Sequence, residues 1–289
     1  MNRKLLHLFG LKFNPFSPEL PLEALRLTPA VESFSWKIEQ ALAREGGFAL
    51  IVGETGTGKS VTLRIVAERL SNQPELTVGE VSRPQANVAD FYREMGDVFG
   101  VPLRPHNRWA GAKALRERWQ AHIDTTLLRP ILLVDEAQEA TPAVLNELRL
   151  LLSTRFDSRQ ILTVVLAGDS RLVDKLRREE LLPLGSRIRT RLQLEYVEPE
   201  QLRATLEYLL NAAGNPMLMT PELVATLTEH ALGNYRVLVS LCGELLSVAA
   251  QRELPQIDEK LYFEVFAPPR STAPRRRNTS SPTGVRSHS

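Results

Sequence analysis

Short apolar runs bounded by glycine, proline or acidic residues recur along this chain, separated by stretches whose apolar residues fall at helical spacing. The runs at 47–52, 76–81, 130–134, 161–167 and 191–197 are of strand length, and the leading one, "GFALIV", is continuously apolar, as in strands buried on both faces. Between the runs, 88–99 and 143–154 read as helices, and Thr28 is placed to cap another through about Arg44. Strands alternating with helices predict an α/β fold, a parallel sheet covered by helices on both sides. After Pro199 the pattern changes. "PEQLRATLEYLLNAAG", "TPELVATLTEHALG", "NYRVLVSLCGELLSVAAQ" and "IDEKLYFEVF" all read as helices, which predicts a small all-helical lid domain over 198–266 behind a sheet domain over 29–197. Residues 1–28, rich in Pro and Phe without clean periodicity, predict an irregular lead-in packed on the domain that follows.

Composition narrows the class. With 289 residues, 43% of them hydrophobic, the chain can fill one large or two modest cores. Its single cysteine, Cys242, sits in an apolar run, which fits a buried structural thiol in a reducing compartment. The five histidines lack metal-ligand spacing. No apolar run approaches the roughly 20 residues that span a bilayer, and His7 and Lys12 interrupt the one stretch that resembles a signal peptide. The expectation is a cytoplasmic protein with no direct membrane insertion.

The net charge of +2 is unevenly spread. Arg270, Arg275, Arg276, Arg277 and Arg286 lie in the last 23 residues, which hold no acid, so the remainder carries −3. Rich in Pro, Ser, Thr and Arg, 267–289 predicts a disordered basic tail, either a nucleic-acid-binding arm or a solubilising end. Trp36, Trp109 and Trp119 lie in helical contexts that predict packing roles rather than a stacking platform for single strands.

The candidate chemistry begins at "GETGTGKS", Gly53 to Ser60, which fits G-x-x-x-x-G-K-[ST] between a buried strand and a helix. In this pattern the backbone of Gly53, Glu54, Thr55, Gly56, Thr57 and Gly58 wraps a phosphate, and its amides form an anion nest. Lys59 then reaches the β and γ phosphates of a nucleoside triphosphate, and Ser60 ligates Mg²⁺. A second run, "ILLVDEAQE", ends in Asp135 and Glu136 at the carboxyl edge of a parallel strand. There Asp135 can hold the Mg²⁺ shell and Glu136 can polarise the attacking water. Asp169, at the tip of "ILTVVLAGDS", is a γ-phosphate sensor or a polar turn residue. Arg187, Arg189 and Arg191 alternate ahead of the last strand and would share one face, unless the first precedes it. Arg187, ahead of Arg191, is the candidate arginine finger for a neighbouring subunit's nucleotide; the alternative is a solvated strand edge. Arg236, after "GNY", can reach back from a lid helix to the phosphates or simply open that helix.

The order of these parts resembles the AAA+ ATPases of the P-loop NTPase class. More narrowly, "FGLKFNPF", "VDEAQEATPAVLNELRLL" and "GNYRVLVSLC" resemble the ExeA-type branch, which includes transposition regulators of the TnsC, TniB and IstB kind. The resemblance covers about residues 7–265. It implies ATP and Mg²⁺ as cofactors, a homo-oligomer, and nucleotide roles for Lys59, Ser60, Asp135, Glu136, Arg187 and Arg236. The "GDS" strand tip departs from the Gln, Asn or Thr common in relatives. Secretion proteins of this branch continue into a membrane span and a cell-wall-binding region that this chain does not show, which directs the reading toward transposition. The implied function is an oligomeric DNA-dependent ATPase that binds duplex DNA without sequence preference and recruits a transposase. The alternative is a cytoplasmic ExeA-like ATPase of a secretion or pilus-assembly system, and a nucleotide-switched signalling module would use the same loop.

Overall fold

All seven residues of β1 (Gly47–Gly53) are buried, and this strand carries the loop that follows it. The computed structural model describes residues 2–81, 83–103, 107–154 and 158–266, so the basic tail expected over 267–289 lies outside the described residues. Ahead of β1 come α1 (Asn2–Phe9), α2 (Pro29–Lys37), a π-helical turn at Ile38–Leu42 and α3 (Ala43–Glu45). Thr28 caps α2, its hydroxyl accepting from the Val31 amide at 3.3 Å. After β1 the chain runs through α4 (Lys59–Ser71), β2 (Val78–Val81), α5 (Val88–Phe99) and α6 (Arg108–Thr126). It continues through β3 (Ile131–Val134), α7 (Pro142–Leu152) and a short antiparallel pair, β4 (Ser153–Thr154) with β5 (Arg159–Gln160). β6 (Thr163–Gly168), α8 (Ser170–Leu176), α9 (Leu182–Gly185) and β7 (Ile188–Leu194) complete the sheet unit.

The five-stranded sheet has the order β2-β3-β6-β1-β7, and every pairing is parallel. Successive residues of a strand face opposite sides, and the cores divide accordingly. Phe48, Leu50, Leu132, Val164 and Leu166 pack under α5 to α8, whereas Ala49, Ile51, Leu133, Val165 and Ala167 pack under α2 and α4. The result is the covered parallel sheet that the alternation of elements predicts.

Four helices follow: α10 (Pro199–Ala213), α11 (Pro221–His230), α12 (Tyr235–Gln251) and α13 (Glu259–Phe266). They have their own core, including Leu206, Leu210, Leu223, Leu227, Leu238 and Leu245. Cys242 is fully buried in it, where burial pushes its thiol up and leaves it unreactive.

The structure corrects three expectations. The lead-in is not irregular throughout, because α1 forms, and Phe9, Leu11 and Phe16 enter the helical core rather than the sheet. Burying such a side chain contributes about 1.5–3 kcal/mol, and Lys12 N bonds the Ala213 carbonyl at 2.8 Å beside them. The last strand starts at Ile188 and ends at Leu194, earlier than 191–197, since an edge strand alternates polar and apolar residues and is not marked by hydrophobicity. Trp119 is buried as expected, but Trp36 and Trp109 are 60% and 74% exposed.

Candidate functional site

β1, β6 and β3 are adjacent, so their carboxyl ends bring three candidate segments to one edge of the sheet. Gly168 is in register with Val52, and Val134 with Leu166, which sets "GETGTGKS", Asp135 with Glu136, and Asp169 side by side. That edge is where open parallel sheets bind ligands.

The loop has the backbone that its glycines allow. Gly56 and Gly58 adopt φ of +84° and +100°, where a side chain is strained. A Cβ on Gly53 would lie 2.4 Å from Thr57 Oγ1, so the turn cannot carry one. Lys59 is 6% exposed, and among the described residues its ammonium has one hydrogen bond, 3.2 Å to the Glu54 carbonyl, which also accepts from Thr57 Oγ1 at 2.8 Å. A buried ammonium held by a carbonyl alone is a poor resting arrangement and a good anion site. Ser60 is exposed at the first turn of α4. The donor set therefore suits a nucleoside triphosphate. Ser60 and Asp135 offer the hard oxygens that Mg²⁺ prefers.

At the tip of β3, Glu136 sits in the left-handed region at φ 48°, and its amide donates to Asp135 Oδ1 at 2.8 Å. Non-glycine residues held there cost of order 1–3 kcal/mol and mark functional sites. Sequence reasoning missed the residue that positions this carboxylate. Gln138, 5% exposed, donates from Nε2 to Glu136 Oε2 and accepts on Oε1 from the Asp169 amide at 3.3 Å. Its backbone carbonyl accepts from Lys175 Nζ at 2.5 Å. Gly168 makes room, because a Cβ there would lie 2.7 Å from Gln138 Oε1. The "DEAQ" spacing was the available signal: a polar side chain two residues past an acid at a strand end.

The structure treats the outlying candidates differently. Asp169 caps α8 and accepts from Arg171 N and Nε, both at 2.9 Å. Burial alone would raise its carboxyl, but the Arg171 hydrogen bonds, the Arg171 charge and the charge of Lys59 outweigh it and hold it below the usual range. Asp169 is thus within the field of the loop lysine while its oxygens serve a helix cap and an ion pair. Arg187 lies ahead of β7 and donates to the Pro183 carbonyl, so it is off the strip. Arg189 pairs with Glu45 at 2.8 Å, and Arg191 is exposed. Because Ile188 pairs with Phe48 while Leu194 pairs with Gly53, Arg187 sits at the amino edge of the sheet, away from its own loop. Arg236 is exposed at the start of α12, and the residues before it touch the loop directly: Asn234 Nδ2 bonds the Thr55 carbonyl at 3.1 Å and Tyr235 N bonds the Gly56 carbonyl at 3.0 Å.

Comparison with known proteins agrees with this geometry. Residues 42–176 match the family described as an AAA domain. General secretion pathway protein A of Aeromonas hydrophila is 30% identical over 248 residues, 84% of this chain and 44% of that protein. The chain thus spans less than half the length of that curated relative. Among solved structures, the Aeropyrum pernix ORC2 protein in its ADPNP-ADP complexes has a TM-score of 0.67 at 16% identity, covering 86% of this chain and 70% of that one. The Aeropyrum pernix ORC1 protein in complex with DNA has a TM-score of 0.64 at 18% identity, covering 86% and 67%. These likenesses show the P-loop NTPase fold, and the sequence matches support an AAA+ ATPase. No helix among the described residues is long and apolar enough to cross a membrane.

Proposed function

We propose that this chain hydrolyses MgATP as a homo-oligomer and uses the nucleotide state to move the helical unit at 198–266 as a lid, acting on a partner in a secretion pathway. The observation that carries the ATP reading is the buried Lys59 ammonium inside a glycine loop, on the same sheet edge as two carboxylates at the tip of β3, with β6 between. Loop amides and Lys59 bind the β and γ phosphates, and Ser60 with Asp135 would hold Mg²⁺. Bound there, the metal would neutralise phosphate charge. Glu136, held by Gln138, accepts the proton of the attacking water. Arg187 supplies positive charge to the adjacent subunit, and Arg236 reports from the lid.

The 30% identical relative supports the secretion alternative over transposition. The match covers only 44% of that protein, so a membrane span and a cell-wall region do not distinguish the two readings. A regulator that binds duplex DNA and recruits a transposase remains the second reading, on the strength of the motifs resembling that branch.

Lys59→Ala is expected to weaken ATP binding about a hundredfold, since a charge-assisted hydrogen bond is worth ~1.5–3 kcal/mol and each 1.4 kcal/mol is tenfold. Titration with a fluorescent ATP analogue checks this, and wild-type affinity in the variant would remove the nucleotide reading. Turnover measured with and without duplex DNA separates the effectors. Activity indifferent to DNA fits the secretion reading, and strong stimulation fits transposition.

A further inference from the structure

We propose that Asn234 is a positioning residue that latches the helical unit to the outer side of the phosphate loop, so that nucleotide binding and lid docking strengthen each other. This rests on the loop being a nucleotide site and adds to that reading a specific coupling residue. Three donors from the far side of the chain converge on two consecutive loop carbonyls. Asn234 Nδ2 reaches Thr55 O at 3.1 Å, Tyr196 OH reaches the same oxygen at 3.4 Å, and Tyr235 N reaches Gly56 O at 3.0 Å. The fit is close. A Cβ on Gly56 would lie 1.9 Å from Asn234 Oδ1, so only glycine lets the helix approach. Meanwhile Oδ1 accepts from the Arg236 and Val237 amides at 2.9 and 3.2 Å, which makes Asn234 the cap of α12 as well.

The preceding residue ties the same point to the connection between the sheet and the helices. Gly233, at φ +79°, offers its carbonyl to Val197 N at 3.2 Å, and a Cβ on it would lie 2.7 Å from Val197 O. Residues 233–235 are therefore wedged between the loop and the segment joining β7 to α10.

The coupling follows from peptide geometry. A nest that turns its amides inward toward a phosphate turns its carbonyls outward, and Thr55 and Gly56 present theirs to the lid. A phosphate in the nest fixes those carbonyls in the accepting orientation and so favours the docked helices. By linkage the docked helices favour the phosphate equally, and couplings of this kind are typically ~5–150-fold. Docking also fixes the start of α12, and with it Arg236.

Asn234→Asp separates the latch from the cap. Aspartate caps a helix as well as asparagine but has no donor for Thr55 O. Asn234→Ser, which keeps a cap without adding a charge beside the phosphates, should show the same loss if the latch is its cause. The expected result is a roughly tenfold loss of ATP affinity and a matching rise in KM, with kcat changed less than twofold and the melting temperature preserved. Tyr196→Phe, which removes the second donor to the same carbonyl, should shift affinity in the same direction by a smaller factor. Hydrogen exchange at 231–238 should slow on adding a non-hydrolysable ATP analogue to the wild type and stay unchanged in Asn234→Asp. Wild-type affinity together with wild-type exchange slowing in that variant would overturn the latch while leaving the nucleotide site intact. Failure of the wild type itself to bind the analogue would instead remove the nucleotide reading, and the latch with it.

Discussion

Arg187→Ala is expected to lower ATP turnover by about 10³- to 10⁵-fold, the range for an arginine given to the transition state by a second subunit, while leaving ATP affinity unchanged. The register of the edge strand sets the position of this arginine. Ile188 pairs with Phe48 at the amino end of β1, and Leu194 pairs with Gly53 at the loop end. A strand rises about 3.3 Å per residue, so Arg187 stands roughly 20 Å along β7 from its own phosphate loop. It cannot serve that loop. An arginine so placed can add to its local contact with the Pro183 carbonyl only a contact with another copy's nucleotide. Subunits carrying Arg187→Ala keep an intact loop, and subunits carrying Lys59→Ala keep an intact arginine. At MgATP that saturates the wild type but not Lys59→Ala, each should turn over far more slowly than the wild type, and mixing them should restore part of the turnover by pairing one intact loop with one intact arginine. Mixtures as inactive as the separate variants, or an Arg187→Ala enzyme that turns over normally, would assign the arginine to the local contact with the Pro183 carbonyl.

Glu136→Gln should bind MgATP as the wild type does and hydrolyse it about 10²- to 10⁴-fold more slowly, the usual contribution of a positioned general base. Glutamine keeps the length of the side chain and can still meet Gln138, so the left-handed backbone at residue 136 is not newly strained. Only the basic oxygen is lost. Asp135 stays beside the metal position, which is why binding should survive. A single-turnover measurement with the analogue titration beside it separates the two effects. Normal chemistry in Glu136→Gln would move the base to another residue, and lost binding would place Glu136 in the phosphate or metal shell.

Much of this site was legible in sequence because its strands are buried on both faces. β1 and β3 read as uninterrupted apolar runs, and the loop glycines and acids stand at their ends. Helix α5 was legible to the residue, 88–99, between Asn87 as cap and Gly100 in the left-handed region. Edges were harder. β7, "IRTRLQL", is half exposed, so its polar residues hide the strand and move its apparent start. In α2 and α6 the helices were anticipated but not the faces, which is why Trp36 and Trp109 are on the surface while Trp119 packs edge-on against Phe99. Gln138 and Asn234 each add to a local bond one to a residue far away in sequence: Gln138 joins Glu136 to the Asp169 amide, and Asn234 joins the start of α12 to the phosphate loop. No local pattern encodes such contacts, although the spacing of "DEAQ" and "GNYR" preserves their places.

If hydrolysis belongs to an assembly of this chain, phosphate release per subunit must change across a dilution series at saturating MgATP. Turnover per subunit is expected to rise steeply over the concentrations at which sedimentation shows subunits associating. Turnover per subunit that is constant from dispersed to assembled protein, or absent at every concentration, would contradict it.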